Sequence, residues 1–592
     1  MAGTFVSSMQ PGRLRRAFLV TAIVLLGTNA WAVTVKLGSS PASPAPVGTM
    51  IHFTATATDA TDAVTYRFRV REFGRGFHLV KDFGIDNTLD WTASAHEGSY
   101  EVEVTARVAS SGETSTAAQS FEMQSRIAGD QPVINPTGHP LVFLYSAPPC
   151  PEGQRMRVQF LGADGSQQVT PAKACETGLS MNFYIAGLKP TQQYKVRHSI
   201  NTGSAVVDGP MLTFTASGIS NVHLPAATLL QPPAAGATQG VLLQAPLQFN
   251  QMATDLNGDV IWYYPGALSY LTRPEPGGRF MGLVVNTAAD QSHQLLREFD
   301  LVGMTLRETN AARVNEYLAA LGKRQISGFH HEARLLPDGN ILVLGGVEQM
   351  TDGIQGPDNV DIDVLGDMII VLDPNLQVVW TWDAFDHLDL TRAAVLGEVC
   401  PGGCTPLYLA PSANDWTHGN AVQLAPDGNL IYSTRHQEWV VKIDYQNGVG
   451  TGDVLWKLGN DGDFTANSTD PYPWFSHQHD AHVLDDGTMM MFDNGNIRHL
   501  SDAAANSRGQ VFQLDEQAHT VTPVLNADLG VYSFALGSAE KLANGNYHFL
   551  AGLLSDGSSF SIEVDPQGQI VYKLKIQANE YRSFRMRSLY AQ

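Results

Sequence analysis

Short runs of alternating hydrophobic and polar residues dominate the N-terminal part of the chain. Three of them, residues 50–57, 64–70 and 100–106, place every second side chain on one face, and turn-rich stretches separate them. Alternation with a period of two is typical of strands with one buried face, and no helical period interrupts it. The pattern predicts a β-sandwich over residues 33–126.

A second sandwich is predicted over residues 127–222. Its phrase at residues 187–196, which includes Tyr194, resembles the tyrosine corner of fibronectin type III domains, where the tyrosine hydroxyl caps a nearby backbone group. Cys150 and Cys175 lie in the same segment and are available for a disulfide in an oxidising compartment. The first part of the chain is therefore expected to hold two immunoglobulin- or fibronectin III-like sandwiches.

One phrase repeats in the region from residue 223 to residue 592. A strand, an Asp-Gly or Asn-Gly turn and a second strand recur around Gly339, Gly428, Gly487 and Gly545, which is the strongest local signal for a β-hairpin. A second hairpin phrase alternates with the first, so each unit supplies four strands. The last three glycines recur about every 60 residues, a period that divides the region into about six units. The sequence thus predicts an all-β chain ending in a six-bladed β-propeller, preferred over seven blades and over a parallel β-helix, whose repeats are much shorter.

Composition and the N-terminus narrow the partners and the compartment. The formal net charge is −21. Duplex nucleic acid binds to a basic face, so nucleic acid is not expected as a partner. Three arginines precede an apolar run at residues 17–26, and Ala30 and Ala32 follow in the layout of a secretory signal. Residues 1–32 are therefore predicted to be a signal peptide cleaved after Ala32, and the mature protein to be periplasmic or secreted, without stable membrane insertion. An uncleaved anchor is the alternative, and the choice between general and twin-arginine export stays open.

Histidines recur just before the hairpin phrase in three consecutive units. His330 and His331 precede the first phrase, His418 the second and His479 the third. If the units are radially equivalent, these imidazoles converge on a common axis. Arg435 lies on the strand after the second turn, which would bring it beside His418.

The residue types in this cluster favour binding of an oxyanion. Three imidazoles are compatible with zinc or copper, but a permanent guanidinium next to them would repel a divalent cation. Arginine offers a forked pair of donors to two oxygens, histidine adds charge, and the amide of Asn420 adds a neutral donor. Sulfuryl and phosphoryl transfer both need such donors, and a neutral imidazole can act as the nucleophile. No metal or other cofactor is therefore predicted.

The phrases around these residues resemble the bacterial arylsulfate sulfotransferases. The resemblance covers most of residues 223–592, and the motifs follow the family order. They are His330-His331-Glu332, Asp-Trp-Thr-His-Gly-Asn at 415–420, Ser-Thr-Arg-His-Gln at 433–437, Gln478-His479-Asp480 and Phe-Asp-Asn-Gly-Asn at 492–496. The resemblance implies an exported propeller enzyme that moves a sulfuryl group from a phenolic sulfate ester to a phenol. The family does so by ping-pong through a sulfated histidine, without a nucleotide donor.

Carried over position by position, the resemblance implies a role for each residue. His479 would be the nucleophile and Arg435 would clamp the sulfuryl group. His418 and Asn420 would bind the sulfuryl oxygens, with His418 also a candidate proton carrier for the phenol. The remaining catalytic histidine is taken to be His331, and the neighbouring His330 is assigned to substrate binding.

Two features depart from the family pattern. Cys400 and Cys404, expected to form a disulfide in an inserted loop near the channel mouth, precede His418 instead of following the arginine strand. The paired sandwiches also exceed a single small β domain, so a homodimer and a monomer both stay open. Two other functions compete with the enzyme: a non-catalytic envelope propeller that binds glycans or proteins, and a histidine-metal hydrolase or lyase. The acidic run at residues 358–363 is interpreted as a solvated loop in preference to a calcium site.

Overall fold

A computed structural model describes residues 32–234, 240–286, 289–401 and 404–590. The predicted signal peptide lies outside the described residues, apart from Ala32. Within these ranges the chain is almost entirely β-structure. The helices are α1 (Ala311–Ala320), α2 (Ala384–His387) and α3 (Asn496–Ser501), with 3-10 turns at Gln291–His293 and Gln446–Gly448. In the described ranges no helix is long and apolar enough to cross a bilayer.

The first strands form two facing sheets. They are β1 (Thr34–Ser40), β2 (Ala45–Pro46), β3 (Ile51–Thr58), β4 (Val64–Glu72), β5 (His78–Gly84), β6 (Thr88–Trp91), β7 (Gly98–Val108) and β8 (Thr114–Gln124). One sheet has the order β1-β3-β6 and the other contains β2-β8-β7-β4-β5. Their inward residues, among them Phe53, Phe68, Trp91 and Phe121, pack into one hydrophobic core. The alternating runs of the sequence supply these strands.

A second pair of sheets follows. Its strands are β9 (Val133–Pro136), β10 (Phe143–Ala147), β11 (Arg155–Gly162), β12 (Gln167–Val169), β13 (Lys173–Ala174), β14 (Met181–Ile185), β15 (Gln193–Asn201), β16 (Val206–Asp208) and β17 (Leu212–Thr215). The Tyr194 hydroxyl accepts a hydrogen bond from the Lys189 backbone N–H at 2.8 Å, the bond expected of a tyrosine corner. Cys150 and Cys175 are joined by a disulfide.

The rest of the chain forms six further sheets. Their strands are β18 (Ala227–Gln231), β19 (Val241–Pro246), β20 (Met252–Asp255), β21 (Val260–Tyr263), β22 (Tyr270–Glu275), β23 (Arg279–Val284), β24 (Leu295–Asp300), β25 (Thr305–Asn310), β26 (Gly328–Leu335), β27 (Ile341–Asp352), β28 (Asp361–Leu372), β29 (Val378–Asp383), β30 (Val399–Cys400), β31 (Ala413–Asp415), β32 (Gly419–Leu424), β33 (Leu430–Thr434), β34 (Trp439–Ile443), β35 (Val454–Gly459), β36 (Thr465–Ala466), β37 (His479–Val483), β38 (Thr488–Asp493), β39 (Arg508–Asp515), β40 (Thr520–Asp528), β41 (Gly537–Lys541), β42 (Tyr547–Ala551), β43 (Ser559–Val564), β44 (Ile570–Ile576) and β45 (Glu580–Met586).

Each of the six sheets is built on four antiparallel strands. Sheet 1 has the order β45-β19-β20-β21, and the others follow the chain as sheet 2 (β22–β25), sheet 3 (β26–β29), sheet 4 (β32–β35), sheet 5 (β37–β40) and sheet 6 (β41–β44). The β22–β23 hairpin turns at residues 276–278, where the sequence carries a weaker copy of the repeated phrase. Sheet 2 also joins the first sandwich, because β25 pairs with β5.

The repeated phrase forms the same turn in four of these sheets. Each Asp or Asn of the phrase accepts the backbone N–H two residues later, at 3.0–3.1 Å, in sheets 3, 4, 5 and 6. The glycine that follows has φ of 89°, 83°, 81° and 89° respectively, a left-handed conformation that glycine adopts without a steric penalty. Local sequence therefore fixes the hairpins.

The first strands of sheets 2–6 and β45 of sheet 1 contact one another in a closed order. The order is β22, β26, β32, β37, β41, β45 and then β22 again. Because β45 pairs with β19, sheet 1 joins the two ends of this region of the chain. The strands of this inner set begin at the same end of the molecule, and the candidate histidines lie there.

A long connection between β29 and β32 lies against that end. It contains α2, β30, β31 and the disulfide between Cys400 and Cys404, and β31 pairs with β28 in parallel. Cys404 and Thr405 line a small cavity together with His331 and His418. The inserted loop is therefore part of the surroundings of the histidines.

Candidate active site

Three imidazoles from three neighbouring sheets meet at this end of the inner strands. His331 is on β26, His418 directly precedes β32 and His479 begins β37. The ring centroids of His331 and His418 are 4.8 Å apart. His479 lies next to this pair, because the carbonyl of the preceding residue, Gln478, accepts a hydrogen bond at 2.7 Å from Nδ2 of Asn420, two residues after His418.

Left-handed backbone conformations position this cluster. His331, His418 and Asp480 have φ of 55°, 48° and 53°, which is uncommon for residues other than glycine and costs about 1–3 kcal/mol each. β-bulges interrupt the pairing between His330 and Ala333 and between His479 and His482. Bulges re-aim side chains next to functional sites, and here they accompany the strained residues.

The Nδ1 atom of His479 is held by an amide. It lies 2.7 Å from Oδ1 of Asn494, whose Nδ2 donates to the Ser533 carbonyl at 2.8 Å and to the Leu536 carbonyl at 3.2 Å. Because these two bonds fix the amide orientation, Oδ1 faces the imidazole and must accept the Nδ1 proton. The neutral His479 ring therefore carries its lone pair on Nε2, which forms no hydrogen bond within the described part of the chain.

The other two imidazoles are oriented through carboxylates. His418 Nδ1 lies 2.7 Å from Oδ2 of Asp415. His331 Nδ1 lies 2.9 Å from Nδ1 of His330, whose Nε2 lies 2.9 Å from Oδ1 of Asp367. Both ring nitrogens of His330 thus contact protein groups behind His331, away from the position that sequence reasoning assigned to substrate.

Arg435 brings a buried guanidinium to the site. Its backbone N–H donates to the His418 carbonyl at 3.3 Å, and its side chain contacts the Nε2 atom of His436. The residue is only 5% exposed, yet its Nε atom has no hydrogen-bond partner among the described residues. A buried cationic donor without a partner is suited to an anionic ligand, since leaving it unpaired is costly. The ring of Phe534, which is 54% exposed, lies 5.4 Å from the guanidinium carbon.

Burial keeps two of the imidazoles neutral. It lowers the pKa of His479 well below the ordinary value, and the positive charge of Arg435 lowers that pKa further. Burial likewise lowers the pKa of His331 well below the ordinary value, with the charge of His418 as the next cause. At neutral pH, His479 is therefore an uncharged imidazole, the form that can attack an electrophile.

Asn420 connects two of the inner strands in this structure. Its Nδ2 donates to the Gln478 carbonyl at 2.7 Å, and its Oδ1 accepts the Asp480 N–H at 3.3 Å. The residue is 1% exposed. Both ends of the amide are thus engaged by the backbone of β37, next to His479.

Four charged residues form a buried ion cluster on the same inner strands. Arg273 Nη2 lies 2.8 Å from Glu332 Oε2 and 2.5 Å from Asp480 Oδ1, and Arg582 Nη2 lies 3.0 Å from Glu332 Oε2. Burial alone would raise the pKa of Glu332, but Arg273 and Arg582 hold it at about 2. The acidic members of the His-His-Glu and Gln-His-Asp motifs therefore anchor the strands that carry the histidines.

One group of side chains has spacing suitable for a metal ion. In the described ranges, ligand atoms of Asp415, His418 and His436 lie within 4.8 Å of one another. His436 already uses both ring nitrogens, Nδ1 at 2.6 Å from the Asp415 carbonyl and Nε2 on Arg435. A cation placed there would face the guanidinium, so the donor set fits an anion better.

Sequence reasoning did not assign roles to several residues that orient the site. Asp367, Asn494 and Arg582 were not named as candidates, although Asn494 lies inside the quoted Phe-Asp-Asn-Gly-Asn phrase. Its place directly after β38, one hairpin turn beyond the Gln-His-Asp phrase, was the available signal. Asp367 and Arg582 lie on β28 and β45, outside every histidine phrase, and no local pattern connects them to the site.

The fold and this site agree with a family assignment. Residues 224–585 match the family described as arylsulfotransferase (ASST). This match covers more than half of the chain, and the chain belongs to that family. The resemblance noted in the sequence is thereby confirmed.

Two curated relatives are 26% identical to this chain. One is an arylsulfate sulfotransferase AssT of Escherichia coli O6:H1 (strain CFT073), matched over 302 residues, 43% of this chain and 46% of the relative. The other is an arylsulfate sulfotransferase AssT of Lelliottia amnigena, matched over 352 residues, 49% of this chain and 54% of the relative. The chain thus spans about half the length of the curated relatives it matches.

Solved structures with some similarity contain fibronectin type III domains. The FN1–FN3 domains of chicken CNTN1 cover 30% of this chain and 68% of their own at 11% identity, with a TM-score of 0.13. A two-domain fibronectin type III segment of chicken tenascin covers 31% of this chain and 97% of its own at 13% identity, with a TM-score of 0.14. At these TM-scores the similarity carries no argument about fold or function.

Proposed function

We propose that the chain is an arylsulfate sulfotransferase that moves a sulfuryl group from a phenolic sulfate ester to a phenol. Membership of the family supports this proposal, and so does the activity for which both curated relatives are named. Neither a nucleotide donor nor a metal is required by the proposal. The two disulfides are in keeping with an exported protein.

The proposal includes the architecture expected from the sequence. Two sandwiches over residues 33–126 and 127–222 precede a six-bladed propeller over residues 223–592, with the site at one end of its central channel. The closed order of the six inner strands supports the propeller. A ring of sheets disposes of the strand edges that separate hairpins would expose.

The observation that carries the proposed chemistry is the environment of His479. Its Nε2 holds the lone pair because Asn494 accepts the Nδ1 proton, and the unpartnered Nε of Arg435 lies in the same cluster. In the first half-reaction, Nε2 attacks sulfur, the N–S bond forms and the bond from sulfur to the aryl oxygen breaks. In the second, the acceptor oxygen attacks sulfur and the N–S bond breaks, which restores His479.

Four further residues complete the proposed site. Arg435 and His418 bind the sulfuryl oxygens, whose charge is spread over the periphery of the transition state. The exposed ring of Phe534 beside Arg435 offers an aromatic face to the aryl group. Asn420 holds the backbone on either side of His479.

Detection of the covalent intermediate on His479 tests this proposal. The protein is incubated with p-nitrophenyl sulfate, without an acceptor, and examined by intact-protein mass spectrometry. We expect a gain equal to one SO3 group, a matching burst of nitrophenolate, and neither in His479→Gln. A fully active His479→Gln would contradict the nucleophile, and wild-type protein without adduct or turnover would contradict the enzyme.

A further inference from the structure

We propose that Asp367 and His330 form a proton relay behind His331, through which His331 takes the proton of the acceptor phenol while the resulting positive charge settles on His330. The inference rests on the proposed function and extends it to the proton of the second half-reaction. It gives His330 a role behind the imidazole that faces the substrate.

The three side chains lie in a line that leads inward from the site. Asp367 Oδ1 is 2.9 Å from His330 Nε2, and His330 Nδ1 is 2.9 Å from His331 Nδ1. The three residues are 2%, 5% and 8% exposed. The other oxygen of Asp367 accepts from the Thr417 hydroxyl, the Gly419 N–H and the Tyr432 hydroxyl. Oδ1 is therefore left for His330.

The hydrogen bonds fix where the protons are. Burial alone would raise the pKa of Asp367, but His330 and the two hydroxyls hold it at about 2, so the carboxylate is ionised and only accepts. His330 Nε2 consequently donates to Asp367. In the neutral state His330 Nδ1 then holds a lone pair and accepts the proton on His331 Nδ1. This leaves a lone pair on His331 Nε2, which forms no hydrogen bond within the described ranges.

The two proton transfers balance and occur together in one step. As the acceptor oxygen attacks sulfur, its O–H bond breaks and an N–H bond forms at His331 Nε2. The Nδ1 proton of His331 moves to Nδ1 of His330 over the same 2.9 Å contact. His331 ends neutral, and His330 becomes an imidazolium whose Nε2–H donates to ionised Asp367. In the next first half-reaction the protons return along the same line to the leaving phenolate.

The surroundings of His331 explain why the charge moves one ring away. Burial lowers the pKa of His331 well below its ordinary value, and the neighbouring His418, His330, His479 and Arg582 further disfavour a positive charge there. Two tyrosine rings also lie close: the ring of Tyr270 is 6.0 Å and that of Tyr581 5.6 Å from the ring of His331. Among the residues that the structure describes, no carboxylate contacts the His331 ring, whereas His330 contacts Asp367.

The decisive variant is His330→Gln, which keeps polar atoms near the original nitrogens but cannot hold a second proton. The rate of nitrophenolate burst reports the first half-reaction, because nitrophenolate leaves readily as an anion. Turnover with phenol as acceptor reports the second. We expect the second half-reaction to slow at least about tenfold relative to the first at neutral pH. This difference between the two half-reactions should shrink as the pH approaches the pKa of the phenol, about 10, because phenolate carries no proton to remove.

His418, held by Asp415, is the competing proton carrier, and His418→Gln is the matched comparison. The relay would be overturned if His330→Gln slowed both half-reactions equally at every pH. It would also be overturned if only His418→Gln slowed the second half-reaction at neutral pH and recovered at high pH. A wild-type protein that forms no adduct would instead refute the proposed function.

A measurement on the unaltered protein guards against variants that do not fold. The rate of phenol sulfation is followed in mixtures of H2O and D2O. Two protons moving together through His331 and His330 should give a curved dependence on the deuterium fraction. A straight line would mean that one proton moves, which contradicts the relay.

Discussion

At the scale of single residues, the partner of Nδ1 distinguishes the three imidazoles. His479 faces the neutral amide of Asn494, whereas His418 faces Asp415 and His331 faces His330 backed by Asp367. A carboxylate stabilises an imidazolium strongly, while a neutral amide does so only weakly and mainly orients the ring. The arrangement suits a nucleophile at His479 and charged or proton-carrying rings at the other two positions.

Replacing the orienting amide tests this distinction. Asn494→Leu has nearly the same shape but cannot accept the Nδ1 proton, which keeps only the longer contact to the His477 carbonyl at 3.2 Å. His479 can therefore place that proton on Nε2 more easily. We expect the nitrophenolate burst to slow by about 10- to 100-fold. Burial lowers the pKa of His479, and the hydrogen bond to Asn494 raises it. Losing this bond should lower the pKa further, so the acid limb of the burst rate should move to lower pH.

The direction of the pH shift separates orientation from damage. If the variant merely loosened the site and admitted water, the pKa of His479 would rise toward its ordinary value, and the acid limb would move to higher pH. Nitrogen NMR of the ring checks the tautomer directly. A ring that keeps its proton on Nδ1 in Asn494→Leu would contradict the role of the amide.

The sequence identified residue types at this scale but not their orientation. The histidine phrases were found because they recur before the hairpin turns, and Arg435 was found because it lies on the strand after the second turn. Tautomers depend on contacts such as that between His330 and Asp367, which come from different strands and leave no mark in local spacing.

At the scale of elements, the turn phrase fixes each hairpin through one side chain and one glycine. The turn of the β37–β38 hairpin uses Asp486, which accepts the Thr488 N–H at 3.1 Å, and Gly487, with φ of 81°. A Cβ atom at Gly487 would meet nothing within 4 Å. Any cost of adding one therefore arises from the backbone alone.

We expect Gly487→Ala to lower the free energy of unfolding by about 1–2 kcal/mol, the cost of a left-handed alanine. Equilibrium unfolding in urea measures it. Gly38 is the matched control, because its added Cβ also meets nothing within 4 Å and its φ lies outside the left-handed region. Equal effects of Gly487→Ala and Gly38→Ala would show that the turn conformation is not the cause.

The hairpins were predictable because their signals lie within a few residues. Pairings between distant segments could not be predicted. Two examples are β18, which joins sheet 6 through β44, and β36, which joins sheet 5 in parallel through β40. These contacts are set by the packing of whole sheets. The short segments involved carry no pattern that selects a partner.

At the scale of the whole molecule, the ion cluster links four of the six sheets. Arg582 belongs to β45 of sheet 1, Arg273 to sheet 2, Glu332 to sheet 3 and Asp480 to sheet 5. The closure of sheet 1 by the C-terminal strand brings Arg582 to this place. The cluster thus couples these four sheets to the backbone that carries His331 and His479.

The acid stability of the protein should depend on Glu332. Its pKa falls from an ordinary 4.5 to about 2 on folding, so the ionised carboxylate contributes stability above pH 4.5 that is lost as the pH falls toward 2. Glu332→Gln leaves Arg273 and Arg582 with an unpaired excess of buried charge. We expect a loss of about 3–5 kcal/mol at neutral pH and a weaker decline between pH 4.5 and 3 than in the wild type.

Urea unfolding at a series of pH values measures both effects. Glu152→Gln is the control, because Glu152 is exposed and forms no ion pair within the described ranges. Its variant should follow the wild-type curve, since exposed charges contribute little. If the free energy of unfolding of Glu332→Gln fell with pH as steeply as that of the wild type, the Glu332 carboxylate would not be the source of the acid sensitivity. Arg273 and Arg582 would then have to be balanced by Asp480 alone.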